Sequence, residues 1–123
     1  MKNLEDKLQQ ACVTWFRLQY PEVVIFAIPN GGSRNAIEAA KLKRTGTLAG
    51  VADLFVLKAS WVKTNDGFYW ALKFGCFIEL KVGKNQQTDA QREFASKAIE
   101  AGYFYQVCRS FDEFKEVIEN YLS

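Results

Sequence analysis

The sequence predicts an α/β domain in which a mixed β-sheet is flanked by helices. Three observations predict it. Apolar residues recur at helical spacing near the N-terminus, β-branched and aromatic runs of strand length occupy the middle, and two later segments open on helix-capping residues. At 123 residues the chain is long enough for one core and too short for two, so residues 1–123 are expected to form a single domain.

The elements follow in order. Leu4, Leu8, Ala11, Cys12, Trp15 and Leu18 share one helical face, and Tyr20-Pro21 ends that helix. Val23 to Ile28 is a continuous β-branched and aromatic run, which predicts a buried strand. Pro29-Asn-Gly-Gly-Ser breaks it into a loop, and Ala36 to Arg44 reads as a short helix. Asp53 to about Val62 and about Phe68 to Val82 read as two strands, joined by Thr64-Asn-Asp-Gly67 with its hairpin-turn chemistry. Thr88 caps a helix running from about Asp89 to Ala101, which Gly102 stops. Tyr103 to Cys108 is a further strand, and Ser110-Phe-Asp-Glu113 is a capping box opening a last helix to about Leu122.

Composition removes several chemistries. There is no histidine, which excludes Ser-His-Asp and Cys-His catalysis, His-ligated zinc and any nuclease built on a histidine base. Cys12, Cys76 and Cys108 are widely spaced in apolar settings, the pattern of buried, reduced thiols. No apolar run approaches the ~20 residues that span a bilayer, and Met1-Lys-Asn-Leu-Glu-Asp-Lys is no signal peptide. An intracellular, cytoplasmic protein without a membrane partner is expected. A net charge of +2 is compatible with a nucleic-acid partner without arguing for one. Arg34, Lys41, Lys43 and Arg44 cluster just before the candidate site, either as a phosphate-binding stretch or as a solvated helix face.

Strand alternation picks out that site. In Phe77-Ile-Glu-Leu-Lys-Val82, Glu79 and Lys81 point one way while Ile78, Leu80 and Val82 point to a core. If the two long strands pair, Asp53 sits about 5 Å from the Glu79–Lys81 strand. Two carboxylates that close repel unless a cation lies between them, and a hard, oxygen-seeking ion such as Mg²⁺ resolves the conflict. Such an ion polarises a phosphoryl oxygen and acidifies a water, and Lys81 would orient that water or stabilise transition-state charge. The alternative is that Glu79 and Lys81 are cross-strand surface charges.

These residues resemble the VRR-NUC domain, a virus-type replication-repair nuclease module of the PD-(D/E)xK phosphodiesterase superfamily. The likeness runs through Glu5 and Gln9, Ile28-Pro-Asn-Gly-Gly-Ser-Arg34, Gly46 to Asp53, Phe77-Ile-Glu-Leu-Lys81, Thr88-Asp-Ala-Gln91, and Gly102 to Leu122. It is similar to the compact stand-alone form of phages and bacteria rather than to the large eukaryotic Fanconi-associated nuclease. The resemblance implies a restriction-endonuclease-like α-β-β-β-α-β core. It implies metal binding by Asp53, Glu79, the Leu80 carbonyl and Glu5, the last directly or through water, with Lys81 catalytic and Gln91 positioning the site. It further implies Mg²⁺, with Mn²⁺ as a substitute, and a homodimer that cuts branched DNA such as four-way (Holliday) junctions to leave 5′-phosphates. Ala52 stands where the family usually has proline, which should loosen the turn without removing a ligand.

The supporting residues each carry a plainer reading. Glu5 suits the first turn of any helix, and Thr88-x-x-Gln91 is also a capping box. Asn30-Gly31-Gly32 with Arg34 fits a loop approaching a DNA phosphate, or a strand-to-helix turn. Lys43 and Arg44 would extend that DNA contact. Trp61, Tyr69 and Trp70 lie in a hairpin the family core does not require, and read as packing, a dimer surface or a stack for exposed bases. Two other functions compete: a non-catalytic nucleic-acid-binding module of the same fold, and a restriction-type nuclease, which this length gives no separate recognition domain.

Overall fold

The computed structural model describes residues 2–29 and 35–123. Helix α1 spans Lys2–Gln19, strand β1 Val24–Ala27, α2 Ala36–Arg44 and β2 Leu54–Leu57. Strands β3 (Ser60–Lys63) and β4 (Tyr69–Lys73) follow, then β5 (Cys76–Leu80), α3 (Asp89–Glu100), β6 (Phe104–Cys108) and α4 (Phe111–Leu122). The main sheet has the order β1-β2-β5-β6. Its first three strands are antiparallel, and β6 joins β5 in parallel after the α3 crossover. With α2 and the β3–β4 pair set aside, the order is the expected α-β-β-β-α-β followed by α4.

The two long strands of the sequence reading are four short ones. Breaks fall after Leu57 and after Lys73, and β3 with β4 form a separate two-stranded sheet. Gly75 marks the second break, since a Cβ there would lie 2.5 Å from the Phe55 ring. Only a glycine lets the chain turn back beneath that ring into β5. The hairpin turn itself forms as expected, with the Gly67 amide donating to the Thr64 carbonyl at 3.0 Å. The reading of β1 as a buried strand is corrected as well. It is an edge strand in which Ile25 alone is buried, and among the described residues no further strand lies on its outer side.

The core lies between the sheet and the α1–α4 pair. Cys12 and Phe16 of α1 and Phe114 and Ile118 of α4 pack on Leu54, Val56, Cys76, Ile78, Leu80 and Cys108. Each fully buried large side chain contributes roughly 1.5–3 kcal/mol. Trp15 closes one edge with ring contacts to Tyr20, Phe111 and Phe114 at 5.9–6.1 Å. All three cysteines are free and buried, as expected, and burial pushes the Cys12 and Cys108 thiols up to about 12. Ser110 caps α4 through the Glu113 amide at 3.1 Å, but the box is displaced by one residue. The Glu113 carboxylate accepts from the Arg109 amide at 2.8 Å instead of the Ser110 amide. Among the described residues, no helix is long and apolar enough to cross a membrane.

Candidate active site

On the opposite face of the sheet, α3 covers a second layer. Phe77 meets Phe55 at 4.6 Å and Phe94 of α3 at 5.1 Å, with Tyr103 alongside at 5.6 Å. This aromatic layer ends where β2 begins and β5 finishes, and there the charged residues stand. Alternation accounts for it: Leu54 pairs with Ile78 and faces the core, so Asp53 and Glu79 share the other face.

Asp53 and Glu79 are brought together as expected. Asp53 Oδ2 accepts from the Leu80 amide at 2.7 Å, and its own carbonyl accepts from the Ile28 amide at 2.8 Å. The aspartate is thereby tied to both neighbouring strands. Glu79 is only 2% exposed. Its Oε2 accepts from Gln91 Nε2 at 3.1 Å, while Oε1 is buried without a hydrogen-bond donor. Burial, then the Asp53 charge, pushes the Glu79 carboxyl up to about 8. Burial likewise raises Asp53, opposed by the Leu80 amide, by a hydrogen bond to Glu79 and by Lys81. Two ionised carboxylates this close repel, so without a cation the arrangement favours a proton held by the pair.

Lys81 lies just past the end of β5 rather than in mid-strand, its amide donating to the Cys108 carbonyl at 3.1 Å. It is 9% exposed, and its charge lowers the pKa of both carboxyls. It makes no ion pair with them, for among the described residues the one ion pair within 4.0 Å is Arg92–Asp89. Its ammonium is near the pair and uncommitted.

Gln91 resolves the choice the sequence left open, because it does both jobs. Its Oε1 accepts from the Thr88 amide at 2.9 Å, completing the capping box, while Nε2 donates to Glu79. The amide has one acceptor end and one donor end, so only this orientation satisfies both partners. Gly50 sets the distance between α3 and the Asp53 turn. At a φ of +89°, a Cβ there would lie 2.4 Å from the Ala90 carbonyl oxygen and 2.9 Å from the Gln91 amide nitrogen.

Glu5 is close enough for its charge to raise both carboxyls, and it accepts from Asn85 Nδ2 at 3.5 Å. Among the described residues, however, no three His, Cys, Asp or Glu side chains are near enough to enclose a metal ion. Glu5 therefore stands outside the Asp53–Glu79 pair. Lys43 and Arg44 are exposed on the last turn of α2, a helix with no buried residue. Asn30, Gly31, Gly32 and Arg34 lie outside the described residues. The sequence reading missed Tyr105, whose hydroxyl accepts from Gln87 Nε2 at 3.1 Å and whose pKa is raised by burial and then by the Glu79 and Asp53 charges. Its odd-numbered place on β6, in parallel register with Phe77, was the available signal.

The donor set suits a hard cation. It offers two carboxylates, an orphaned buried oxygen, and the Leu80 carbonyl, which leaves its strand on the same side as the Leu80 amide that Asp53 binds. A cation there would replace the proton that the pair otherwise needs.

No protein-family model matches the chain, and no curated protein matches it either. A solved structure described as a VRR_NUC domain protein does match, with a TM-score of 0.73 and 27% identity, covering 96% of this chain and 87% of that one. The likeness is nearly full-length and agrees with the motifs at Gly50–Asp53, Phe77–Lys81 and Thr88–Gln91. The chain folds as a VRR-NUC domain.

Proposed function

We propose that this protein is a metal-dependent nuclease that hydrolyses phosphodiester bonds in branched DNA, four-way junctions included, and leaves 5′-phosphates. The carrying observation is the buried Glu79 beside the partly buried Asp53, with Glu79 Oε1 lacking any donor and both carboxyls raised. A fold with no use for a cation would gain by replacing one of these acids with an apolar residue. Asp53, Glu79 and the Leu80 carbonyl would hold Mg²⁺, with Mn²⁺ as substitute and Glu5 reaching it through water. The ion, when bound, supplies a polarised phosphoryl oxygen and an acidified water.

The chain's own groups do the rest. Gln91 fixes the rotamer of Glu79, and the Leu80 amide fixes that of Asp53. Lys81 presents a cation to the developing negative charge on phosphorus-bound oxygens. Lys43 and Arg44, with Arg34 and Asn30, Gly31 and Gly32, would hold the DNA backbone without reading sequence. Each chain carries one such site, and symmetric cutting of a four-way junction takes two, which a two-fold dimer supplies.

The test offers four-way, flap, nicked and linear DNA to the protein with Mg²⁺ or Mn²⁺ and maps the cut positions. Branched substrates should be cut with either ion, and not after chelation or by Lys81→Ala. Thermal denaturation should shift upward with Mn²⁺ in wild type and not in Asp53→Asn. Absence of cleavage on every branched substrate with both ions refutes the catalytic reading.

A further inference from the structure

Nothing in the sequence singled out Arg109, yet the sheet sets it beside the site. Val107 of β6 is the register partner of Glu79, and the next residue, Cys108, belongs to the core. The bond from the Lys81 amide to the Cys108 carbonyl carries the parallel ladder one residue beyond β5, which places Arg109 next to Lys81. Alternation then gives Arg109 the face that Glu79 and Lys81 share. Three neighbouring strands so present, in order, Asp53 at the start of β2, Glu79 and Lys81 at the end of β5, and Arg109 just past β6.

The side chain agrees with this placement. Arg109 Nη1 donates to the Gly83 carbonyl at 3.2 Å, reaching the loop that runs from Lys81 to α3. A guanidinium carries five N–H donors in a planar fork, and this bond uses one of them. Arg109 is otherwise exposed. Asp112 and Glu113 open α4 close by, but neither neutralises it. The Glu113 carboxylate takes the Arg109 backbone amide at 2.8 Å, and among the described residues the one ion pair is Arg92–Asp89. A guanidinium held at one corner and open at the rest suits two oxygens of a phosphate. It stands one strand, ~4.8 Å, further from Asp53 than Lys81 does.

We propose that Arg109 is a substrate-binding residue whose guanidinium holds the DNA phosphate flanking the one being cleaved, on the β6 side of the Asp53–Glu79 pair. The other cations assigned to DNA, Arg34, Lys43 and Arg44, all precede β2 in the chain, so Arg109 supplies the contact on the far side of the carboxylates. The proposal rests on the nuclease reading, and its deciding measurement is binding rather than cleavage.

Fluorescence anisotropy of a labelled four-way junction, titrated with the full chain in EDTA across a salt series, reads the contact directly. Arg109→Gln should weaken binding about tenfold and reduce the slope of log affinity against log salt by ~0.9, the value of one phosphate. Arg109→Lys, which keeps the charge, should keep most of the slope. Lys58→Gln removes an exposed cation just past the other end of β2 and should change neither quantity. With Mg²⁺, Arg109→Gln should raise KM about tenfold and leave kcat nearly unchanged, as loss of a contact made equally before and during reaction does. A wild type that does not bind the junction overturns the proposal, as does a slope that Arg109→Gln leaves unchanged or that Lys58→Gln lowers as much. So does a fall in kcat with KM and slope intact, which would make Arg109 only a staple for the Gly83 loop. If the junction is bound and never cut, the nuclease reading falls, and the salt slope still decides whether Arg109 meets a phosphate.

Discussion

The two faces of the four-stranded sheet come from the same strands, one residue out of phase, and they bury opposite kinds of group. Leu54, Ile78 and Leu80 face α1 and α4 and belong to the apolar core. Asp53 and Glu79, adjacent to them in sequence, face the α3 side, where the aromatic layer around Phe55 and Phe77 shields them from water. The first face gains free energy from burial. The second loses some to keep Glu79 dry and the partly buried Asp53 beside it. Period-two alternation makes this division possible in so small a domain, because a strand can serve the core and the chemistry at once.

Paired substitutions on the two faces should break the comparison most visibly. Glu79→Gln should lower cleavage about 10³-fold or more, worth ~4 kcal/mol of transition-state stabilisation, while leaving folding stability unchanged or increased. Its neighbour Ile78→Ala should do the reverse, costing ~2–5 kcal/mol of stability with the folded fraction still active. Urea denaturation beside cleavage kinetics reads both. Equal destabilisation by the two changes would make Glu79 a structural residue.

The next effect is on pH dependence. Glu79 is raised from 4.5 to about 8, so its contribution to stability is fully present below pH 4.5 and is lost as pH rises through 8. Asp53, raised also, acts with the same sign. Metal-free protein should therefore lose on the order of a few kcal/mol between pH 5 and pH 9. Mg²⁺ should restore much of this, and Glu79→Gln should flatten the profile. A flat wild-type profile would mean that the pair is open to solvent.

Alternation made much of this site legible in the sequence. It placed Glu79 and Lys81 together and Ile78 and Leu80 in the core, and the strand bearing Asp53 was read as the neighbour of theirs. What failed was the extent of the strands. Residues 58–74 are as aromatic and β-branched as those of β2 and β5, so composition could not separate a projecting hairpin from the sheet. The break depends on Gly75 meeting the Phe55 ring, a contact across twenty residues of sequence. Burial of β1 failed for a similar reason: its apolar run is that of an inner strand, but strand order leaves it at the edge. The sequence around Gly50 suggests no more than a turn before Asp53, and the backbone it touches lies forty residues on.

That contact gives a smaller, sharper test of how the face bearing Asp53 and Glu79 is held. Gly50→Ala places a methyl 2.4 Å from the Ala90 carbonyl oxygen in addition to the strain of positive φ, whereas Gly46→Ala, at a φ of +109°, meets nothing within 4 Å. Each should cost about 1–2 kcal/mol through backbone strain. Only Gly50→Ala should also weaken Mn²⁺ binding, measured by calorimetry, because it moves α3 and Gln91 away from Glu79. Equal metal affinity in both would leave the close approach without a role at the site.

The smallest expected effect separates the two functions of Gln91. Thr88→Ala removes the hydroxyl that accepts from the Gln91 amide and should cost ~1 kcal/mol of stability, with cleavage nearly unchanged. Gln91→Ala removes the reciprocal half of the same cap, so its stability cost should be similar. It also frees Glu79 Oε2, and loss of a group that orients a metal ligand typically costs 10–100-fold. A drop near 10-fold with Gln91→Ala, against almost none with Thr88→Ala, would show that the α3 cap orients Glu79. If both variants slow cleavage alike, the position of the helix N-terminus controls activity and the amide contact to Glu79 adds nothing of its own.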